Sequence, residues 1–238
     1  MKTIITCILG FALLTGCSKE SGTVKLNKPP LDIPATDTVS YLALGDSYTI
    51  GQSVAQSSSF PYQLQKSLRQ EGIVIKDLKI IAQTGWTTDE LKTAIANENL
   101  IRKFDVVTLL IGVNNQFRGY SQEVYRKEFI ELLQTAINYA RGDTTKVFVL
   151  SIPDWGATPY GGSGKNVEIS KQIDQFNLIN KEESIKLNVR YIDITPISRQ
   201  AAGDILLVAP DGLHPSGNMY ALWVEELMLK LKKVFNPG

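Results

Sequence analysis

The chain has 238 residues, with 25 Lys and Arg against 24 Asp and Glu, and 43% of its residues are hydrophobic. This length fits one α/β domain, and the near-neutral charge leaves no basic stripe for a phosphate backbone, so we expect no nucleic-acid partner. The sequence holds one His and two Cys, too few for an ordinary zinc site, and we expect neither a metal nor a cofactor.

The N-terminal residues have the pattern of a secretory signal. Lys2 precedes an apolar stretch, residues 4–14, that is shorter than the roughly 20 residues a membrane-spanning helix needs. The stretch runs into Leu-Thr-Gly-Cys, which resembles the bacterial lipoprotein box. This resemblance implies cleavage before Cys17, a lipid on its thiol, and an exported protein anchored on the periplasmic or cell-surface face of a membrane. A plain signal peptide with an incidental Cys17 is the alternative.

Residues 18–38 mix Ser, Lys, Thr and Pro without apolar periodicity, which predicts a flexible tether. We therefore expect a signal peptide over residues 1–17, the tether over 18–38 and one folded domain over 39–238. Cys7 would leave with the signal and Cys17 would carry the lipid, so the folded domain would contain no thiol.

From residue 39 onward, short apolar runs alternate with stretches of helical periodicity. In chain order the prediction is a strand at 40–46, a helix at 60–70, a strand around Ile80, a helix from Thr87, a strand at 104–112, a helix from Ser121, a strand at 146–153, a helix at 167–187, a strand at 189–194 and a helix at 216–235. This alternation predicts a five-stranded parallel sheet in a three-layer α/β/α sandwich of flavodoxin-like type.

Polar or small residues follow the predicted strands at their carboxyl ends. They are Ser47, Gly85, Asn114 and Asp154, after the first to fourth strands. Ligands of open α/β sheets collect at this edge, so we expect these residues to lie near a binding site.

His214 is the single histidine of the chain and lies just before the last predicted helix. Asp211 precedes it by three residues in a turn rich in Gly and Pro. A carboxylate at this spacing can accept from one imidazole nitrogen while the other faces outward, which is the geometry of an oriented general base. A structural histidine that caps or fills is the alternative interpretation.

Four segments then resemble, in order, the sequence blocks of the SGNH (GDSL-type) hydrolase superfamily. They are "GDSYTIGQ", the glycine of "QTGWTT", "IGVNNQ" and "DGLH", and the resemblance covers roughly residues 40–235. It implies a hydrolase that cleaves acyl or acetyl esters, with Ser47 as nucleophile, His214 as general base and Asp211 as the acid that orients it.

The resemblance also implies an oxyanion hole made of the backbone N–H groups of Ser47 and Gly85 and the side-chain amide of Asn114. The third block departs from the family's usual Gly-x-Asn-Asp, because Asn115 stands at its last position. We interpret Asp46, beside the nucleophile, as a turn or helix-cap acid with no part in proton transfer.

Trp86, Trp155 and Tyr160 are predicted to border the pocket for a small-molecule, glycan or lipid ester. Packing of Trp155 against the sheet edge is the alternative. Two rival functions stay open at this point: a non-catalytic lipoprotein that binds a glycan or a partner on the same fold, and a flavodoxin-like nucleotide binder.

Overall fold

The structure is a computed structural model, and it describes residues 37–235. The predicted signal peptide at 1–17 and its Cys17 lie outside the described residues. The same holds for the predicted tether at 18–38, except for its last two residues, which belong to the first strand.

Five strands form one sheet. They are β1 (Asp37–Gly45), β2 (Ile73–Ala82), β3 (Val106–Leu110), β4 (Val147–Leu150) and β5 (Arg190–Ile192). Their order is β2-β1-β3-β4-β5, and every neighbouring pair is parallel. The predicted five-stranded parallel sheet is therefore confirmed.

Eight α-helices connect and cover these strands within the described residues. They are α1 (Ser47–Ile50), α2 (Phe60–Gln70), α3 (Thr88–Asn97), α4 (Val113–Phe117), α5 (Gln122–Tyr139), α6 (Val167–Lys186), α7 (Thr195–Arg199) and α8 (Gly217–Phe235). The five long helices agree with the predicted ones. The sequence did not reveal α1, α4 and α7, because four or five residues are too few to show a helical period.

Local signals explain where the helices begin. The Glu90 carboxylate accepts the backbone N–H of Thr87 at 2.9 Å, which forms one half of a capping box at the start of α3. Ser121 Oγ accepts the N–H of Val124 at 3.2 Å and caps α5. At α2 the helix begins where expected, but the Ser59 hydroxyl donates to the carbonyl of Gln56 instead of capping the helix.

The helices lie in two groups that sandwich the sheet. Helix α2 packs with α8, while α5 packs with α3 and α6. All residues of β3 are buried, as expected for a strand covered on both faces. The hydroxyl groups of Tyr41 on β1 and Thr108 on β3 are also buried, and they share a hydrogen bond of 2.8 Å.

Strands β1 and β3 are neighbours in the sheet although β2 lies between them in the chain. The chain leaves β1 toward one edge of the sheet and returns to form β3 on the other side of β1. Such a reversal opens a crevice at the carboxyl ends of the two strands, where ligands bind in doubly wound folds. Ser47 follows β1 and Asn114 follows β3, so both lie at this crevice.

Candidate active site

Ser47 is the first residue of α1, and β1 ends two residues before it. Asp46 caps this one-turn helix, because its Oδ1 accepts the N–H of Tyr48 at 3.0 Å. The Asp46 side chain is fully buried, and this burial raises its pKa to about 7. A buried cap therefore holds the serine rigidly at the end of the strand, in agreement with the cap interpretation of Asp46.

Asp211 and His214 lie on one turn before α8. The Asp211 Oδ1 atom accepts the backbone N–H groups of Leu213 at 2.9 Å and of His214 at 3.0 Å. Its Oδ2 atom lies 2.6 Å from Nδ1 of His214. The turn thus fixes the carboxylate by two backbone hydrogen bonds and aims its other oxygen at the imidazole, so that Nε2 faces away from the acid.

Asp211 accepts one more hydrogen bond, from the hydroxyl of Ser53 at 2.5 Å. Burial raises the pKa of Asp211, but its hydrogen bonds from Ser53, His214 and Leu213 outweigh burial and hold the pKa well below its ordinary value. The group therefore stays a carboxylate at neutral pH. Ser53 was not predicted, since a serine in a polar loop carries no signal of a partner so distant in the chain.

Ser47 and His214 line the same cavity, which has a volume of about 210 Å³. The Tyr48 ring, next to Ser47, lies 5.6 Å from the His214 ring between centroids. No hydrogen bond joins the serine hydroxyl to the imidazole within the described chain. Such hydrogen bonds are often long in proteins without substrate and tighten when substrate binds.

Gly85 lies in the loop between β2 and α3 with a φ of +87°, a left-handed conformation that favours glycine. The backbone N–H groups of Gly85 and Ser47 donate to no backbone carbonyl within residues 37–235. The amide of Asn114 donates one hydrogen to the carbonyl of Trp86 at 2.9 Å. An amide nitrogen carries two hydrogens, so a second remains for another acceptor.

Arg118 braces this loop from α4's C-terminal end. Its Nη2 donates to the carbonyl of Gly85 at 2.6 Å, and its Nη1 lies 3.2 Å from Oε1 of Glu90. The sequence did not point to Arg118, because a single exposed arginine after a short helix resembles any surface charge.

Three aromatic rings form one wall of the cavity: Phe117, Trp155 and Tyr160. The Trp155 ring lies between the other two, at 5.6 Å and 6.1 Å between centroids. Its Nε1 donates to Oε1 of Gln116 at 2.8 Å, which fixes the plane of the indole. The remaining apolar lining comes from Tyr48, Val113 and Leu213.

Of the three predicted pocket residues, Trp155 and Tyr160 line the cavity, and Trp86 does not. Trp86 is half-buried and packs against the hydrophobic core. Trp155 lines the cavity and also packs against the hydrophobic core. Phe117, Val113 and Leu213 were missed, since their roles depend on the fold of α4 and of the turn before α8.

Asp154, predicted near the site, does not line the cavity and holds the neighbouring turn. Its Oδ1 accepts the N–H of Gly156 at 2.9 Å, and its Oδ2 lies 2.9 Å from Nε of Arg199. Among residues 37–235, no three His, Cys, Asp or Glu side chains are grouped so that they could hold a metal ion. In the same residues, no helix has both the length and the apolar character to cross a membrane.

Solved structures resemble this chain over most of its length. TesA shares 19% identity with a TM-score of 0.65, over 82% of this chain and 99% of TesA. The lipase/acylhydrolase from Enterococcus faecalis shares 21% identity with a TM-score of 0.64, over 84% and 98% of the two chains. The acetylxylan esterase Axe2 from Geobacillus stearothermophilus shares 16% identity with a TM-score of 0.61, over 81% and 94%. These likenesses support the three-layer fold.

Comparison with curated protein sequences returned no match. Residues 43–222 match the model of the family described as "GDSL-like Lipase/Acylhydrolase family". This match spans well over half of the 238 residues and runs from the strand before Ser47 into α8. The chain therefore belongs to the GDSL-like lipase/acylhydrolase family, and it is a hydrolase that acts on ester bonds.

Proposed function

We propose that the protein cleaves carboxylic esters through a triad of Ser47, His214 and Asp211. The observation that carries this proposal is the 2.6 Å contact between His214 Nδ1 and Asp211 Oδ2, with His214 lining the same cavity as Ser47. His214 is the only histidine of the chain, so no other imidazole can serve as base. This short contact fixes the ring so that Nε2 is free to take a proton.

In this mechanism the Ser47 hydroxyl oxygen attacks the ester carbonyl carbon while His214 Nε2 takes its proton. The bond between that carbon and the leaving oxygen then breaks, and His214 gives the proton to the departing alcohol. The acyl group remains on Ser47. Water next attacks the acyl carbon, again losing a proton to His214, and the proton returns to Ser47 as the carboxylic acid leaves.

Asp211 stabilises the imidazolium formed in both steps. Its pKa lies well below the ordinary value, so it does not take the proton from His214 and instead stays charged beside it. The two backbone hydrogen bonds to Oδ1 keep the carboxylate from rotating away. Asp211 thus acts on the reaction through His214.

The negative oxygen of the tetrahedral intermediate would accept hydrogen bonds from Ser47 N–H, Gly85 N–H and the side-chain amide of Asn114. Two observations support this assignment: the backbone N–H groups have no carbonyl partner within residues 37–235, and Asn114 uses only one of its amide hydrogens on Trp86. Donors held in place before the reaction need no reorganisation when the charge develops.

The cavity supports a substrate with a small, uncharged acyl group. Its volume of about 210 Å³ lies below the range of roughly 300–1,000 Å³ typical of sites for drug-sized ligands. Apart from His214, the lining includes no acidic or basic side chain of the described chain. The aromatic wall suits an acetyl or short acyl chain and the sugar ring or lipid that carries it.

Hydrolysis of p-nitrophenyl acetate by the full chain and its Ser47→Ala variant tests the proposal. We expect turnover by the wild type, loss of turnover in the variant, and unchanged activity in the control Ser57→Ala, an exposed serine outside the site. A fluorophosphonate probe should phosphonylate Ser47 of the wild type, with loss of fluoride, and should leave Ser47→Ala unlabelled. Turnover or labelling that survives in Ser47→Ala would overturn the triad, and absence of turnover by the wild type would contradict the small acyl substrate.

We also propose that Cys17 carries a lipid and anchors the protein to a membrane on its exported side. The Leu-Thr-Gly-Cys motif at the end of an apolar stretch supports this. Cys17→Ser should move the protein from the membrane fraction to the soluble fraction of the producing cells. Equal membrane recovery of both proteins would contradict the lipid anchor.

A further inference from the structure

Asn115, next to the proposed oxyanion residue Asn114, is fully buried and contacts Thr88, the first residue of α3. Its Oδ1 accepts the backbone N–H of Thr88 at 3.1 Å, and its Nδ2 donates to the Thr88 hydroxyl at 2.7 Å. The Thr88 hydroxyl in turn donates to Oε2 of Glu128 on α5. These hydrogen bonds together connect α4, α3 and α5.

The hydrogen count of this network is fixed. The backbone N–H of Thr88 can only donate, so it requires the oxygen of the Asn115 amide. The hydroxyl of Thr88 has a single hydrogen, which goes to Glu128, so from residue 115 it can only accept. An amide at residue 115 can both accept from the N–H and donate to the hydroxyl, whereas a carboxylate can only accept. The substitution Asn115→Asp would leave Thr88 between two carboxylates with one hydroxyl hydrogen for both.

The network lies directly behind the oxyanion loop. Thr88 follows Gly85 by three residues, and the Asn114 amide and the Arg118 guanidinium both donate to carbonyls of this loop. The position of Thr88 relative to α4 therefore sets the distance between the Gly85 N–H and the Asn114 amide. A shift of about 1 Å between such donors is enough to weaken catalysis strongly.

We propose that Asn115 is a positioning residue of the oxyanion hole, and that its amide is matched to Glu128 through Thr88. This inference rests on the proposed function of Gly85 and Asn114. It explains why this chain has Asn115 where the family's third block usually has aspartate: with Glu128 as acceptor, residue 115 must supply a donor. The substitution Glu128→Gln would remove this requirement, because a glutamine amide can donate a hydrogen bond to the Thr88 hydroxyl. The hydrogen of that hydroxyl would then be free for the carboxylate of Asn115→Asp.

Four full-length proteins test the match: wild type, Asn115→Asp, Glu128→Gln and the double variant. We expect Glu128→Gln to stay within about threefold of the wild-type kcat, because glutamine can still accept from Thr88. Asn115→Asp should lower kcat by about 10- to 100-fold with little change in KM, since a displaced donor acts mainly in the transition state. The double variant should return to within about threefold of Glu128→Gln. Such a rescue is the signature of a coupled pair.

Thermal unfolding of the same four proteins separates the outcomes. A double variant that melts like Glu128→Gln but keeps the low kcat of Asn115→Asp would overturn the positioning role, as would wild-type kcat in Asn115→Asp. Should Asn115→Asp not fold, recovery of both folding and kcat in the double variant supports the proposal, and a folded but inactive double variant overturns it. Turnover that persists in Ser47→Ala would instead refute the proposed function itself, whatever the thermal unfolding of the four proteins shows.

Discussion

The hydroxyl of Ser53 donates a hydrogen bond of 2.5 Å to Oδ2 of Asp211, across 158 positions of the chain. Ser53 lies six residues after Ser47, so this bond joins the segment that carries the proposed nucleophile to the turn that carries the acid and base. Asp211 Oδ2 is also the atom that contacts His214. Ser53 and His214 therefore hold the same carboxylate oxygen between them.

Removal of this hydroxyl should weaken catalysis modestly. Ser53 is exposed, so water can partly replace its hydrogen bond, and we expect Ser53→Ala to lower kcat about fivefold, equivalent to about 1 kcal/mol. Ser53 is also one of the donors that hold the pKa of Asp211 below its ordinary value, so its loss should raise that pKa. Steady-state kinetics of the wild type and Ser53→Ala measure the change in kcat.

Ser53 has a φ of +65°, which glycine adopts without strain. Ser53→Gly therefore removes the same hydroxyl and relaxes the backbone at the same time. If the hydroxyl is what matters, Ser53→Gly and Ser53→Ala should lose kcat alike, although the glycine variant is the more stable of the two to heat. Wild-type kcat in Ser53→Gly would show that the hydrogen bond has no part in catalysis.

Asn114 offers a test of the oxyanion hole. Asn114→Ala should lower kcat by about 100- to 1,000-fold with little change in KM, because the lost donor acts on a charge that exists only in the transition state. Asn138→Ala, on the exposed face of α5, is the matched control and should keep wild-type kcat. A loss below threefold in Asn114→Ala would remove this side chain from the hole.

Trp155 offers a test of acyl selectivity. Trp155→Ala opens the aromatic wall, so the ratio of kcat/KM for p-nitrophenyl octanoate over acetate should rise about tenfold or more. Trp155→Phe keeps a ring but loses the hydrogen bond to Gln116, and it should change this ratio less. An unchanged ratio in Trp155→Ala would mean that the acyl chain lies elsewhere.

Asp46 makes the stability of the fold depend on pH. Burial raises its pKa to about 7, so between about pH 4 and pH 7 the folded chain holds a proton that the unfolded chain has released. Its contribution to the free energy of unfolding therefore falls as pH rises through this window and is constant above it. At about 1.4 kcal/mol for each change of one in pKa, the fall is at most about 4 kcal/mol.

Asp46→Asn removes this titration and keeps a good helix cap. Urea unfolding of the wild type and the variant at pH 4.5, 6 and 8 should show that the variant gains stability relative to the wild type as pH rises. The comparison cancels groups that titrate in both proteins. A difference that does not change with pH would mean that Asp46 titrates alike in the folded and unfolded chains.

The sequence predicted those parts of the molecule that local pattern controls. The long helices follow from their periodicity, and the central strand follows from the continuous apolar run that became β3. The contact between Asp211 and His214 lies within one turn, so three residues of spacing were enough to suggest it. The parallel pairing follows from the alternation of strands and helices together with the handedness of crossovers.

Features that depend on distant packing could not be read from the sequence. Ser53 and Arg118 are ordinary polar residues until the fold brings a carboxylate and a carbonyl to them. Trp86 follows Gly85 directly, which suggested a pocket residue, but Trp86 packs against the hydrophobic core. The partner of Asn115 lies on another helix, and only the fold reveals that the hydrogen count depends on Glu128.

Because Asp211 and His214 belong to one turn, the acid and the base would travel as a single body. A small slide of the C-terminal segment would leave their mutual contact intact and alter only the gap between imidazole and nucleophile. The distance between the imidazole and the proposed nucleophile would then depend only on how closely this turn packs at the end of β1. Substitutions that tighten or loosen this packing would change the activity without altering any residue that takes part in the chemistry.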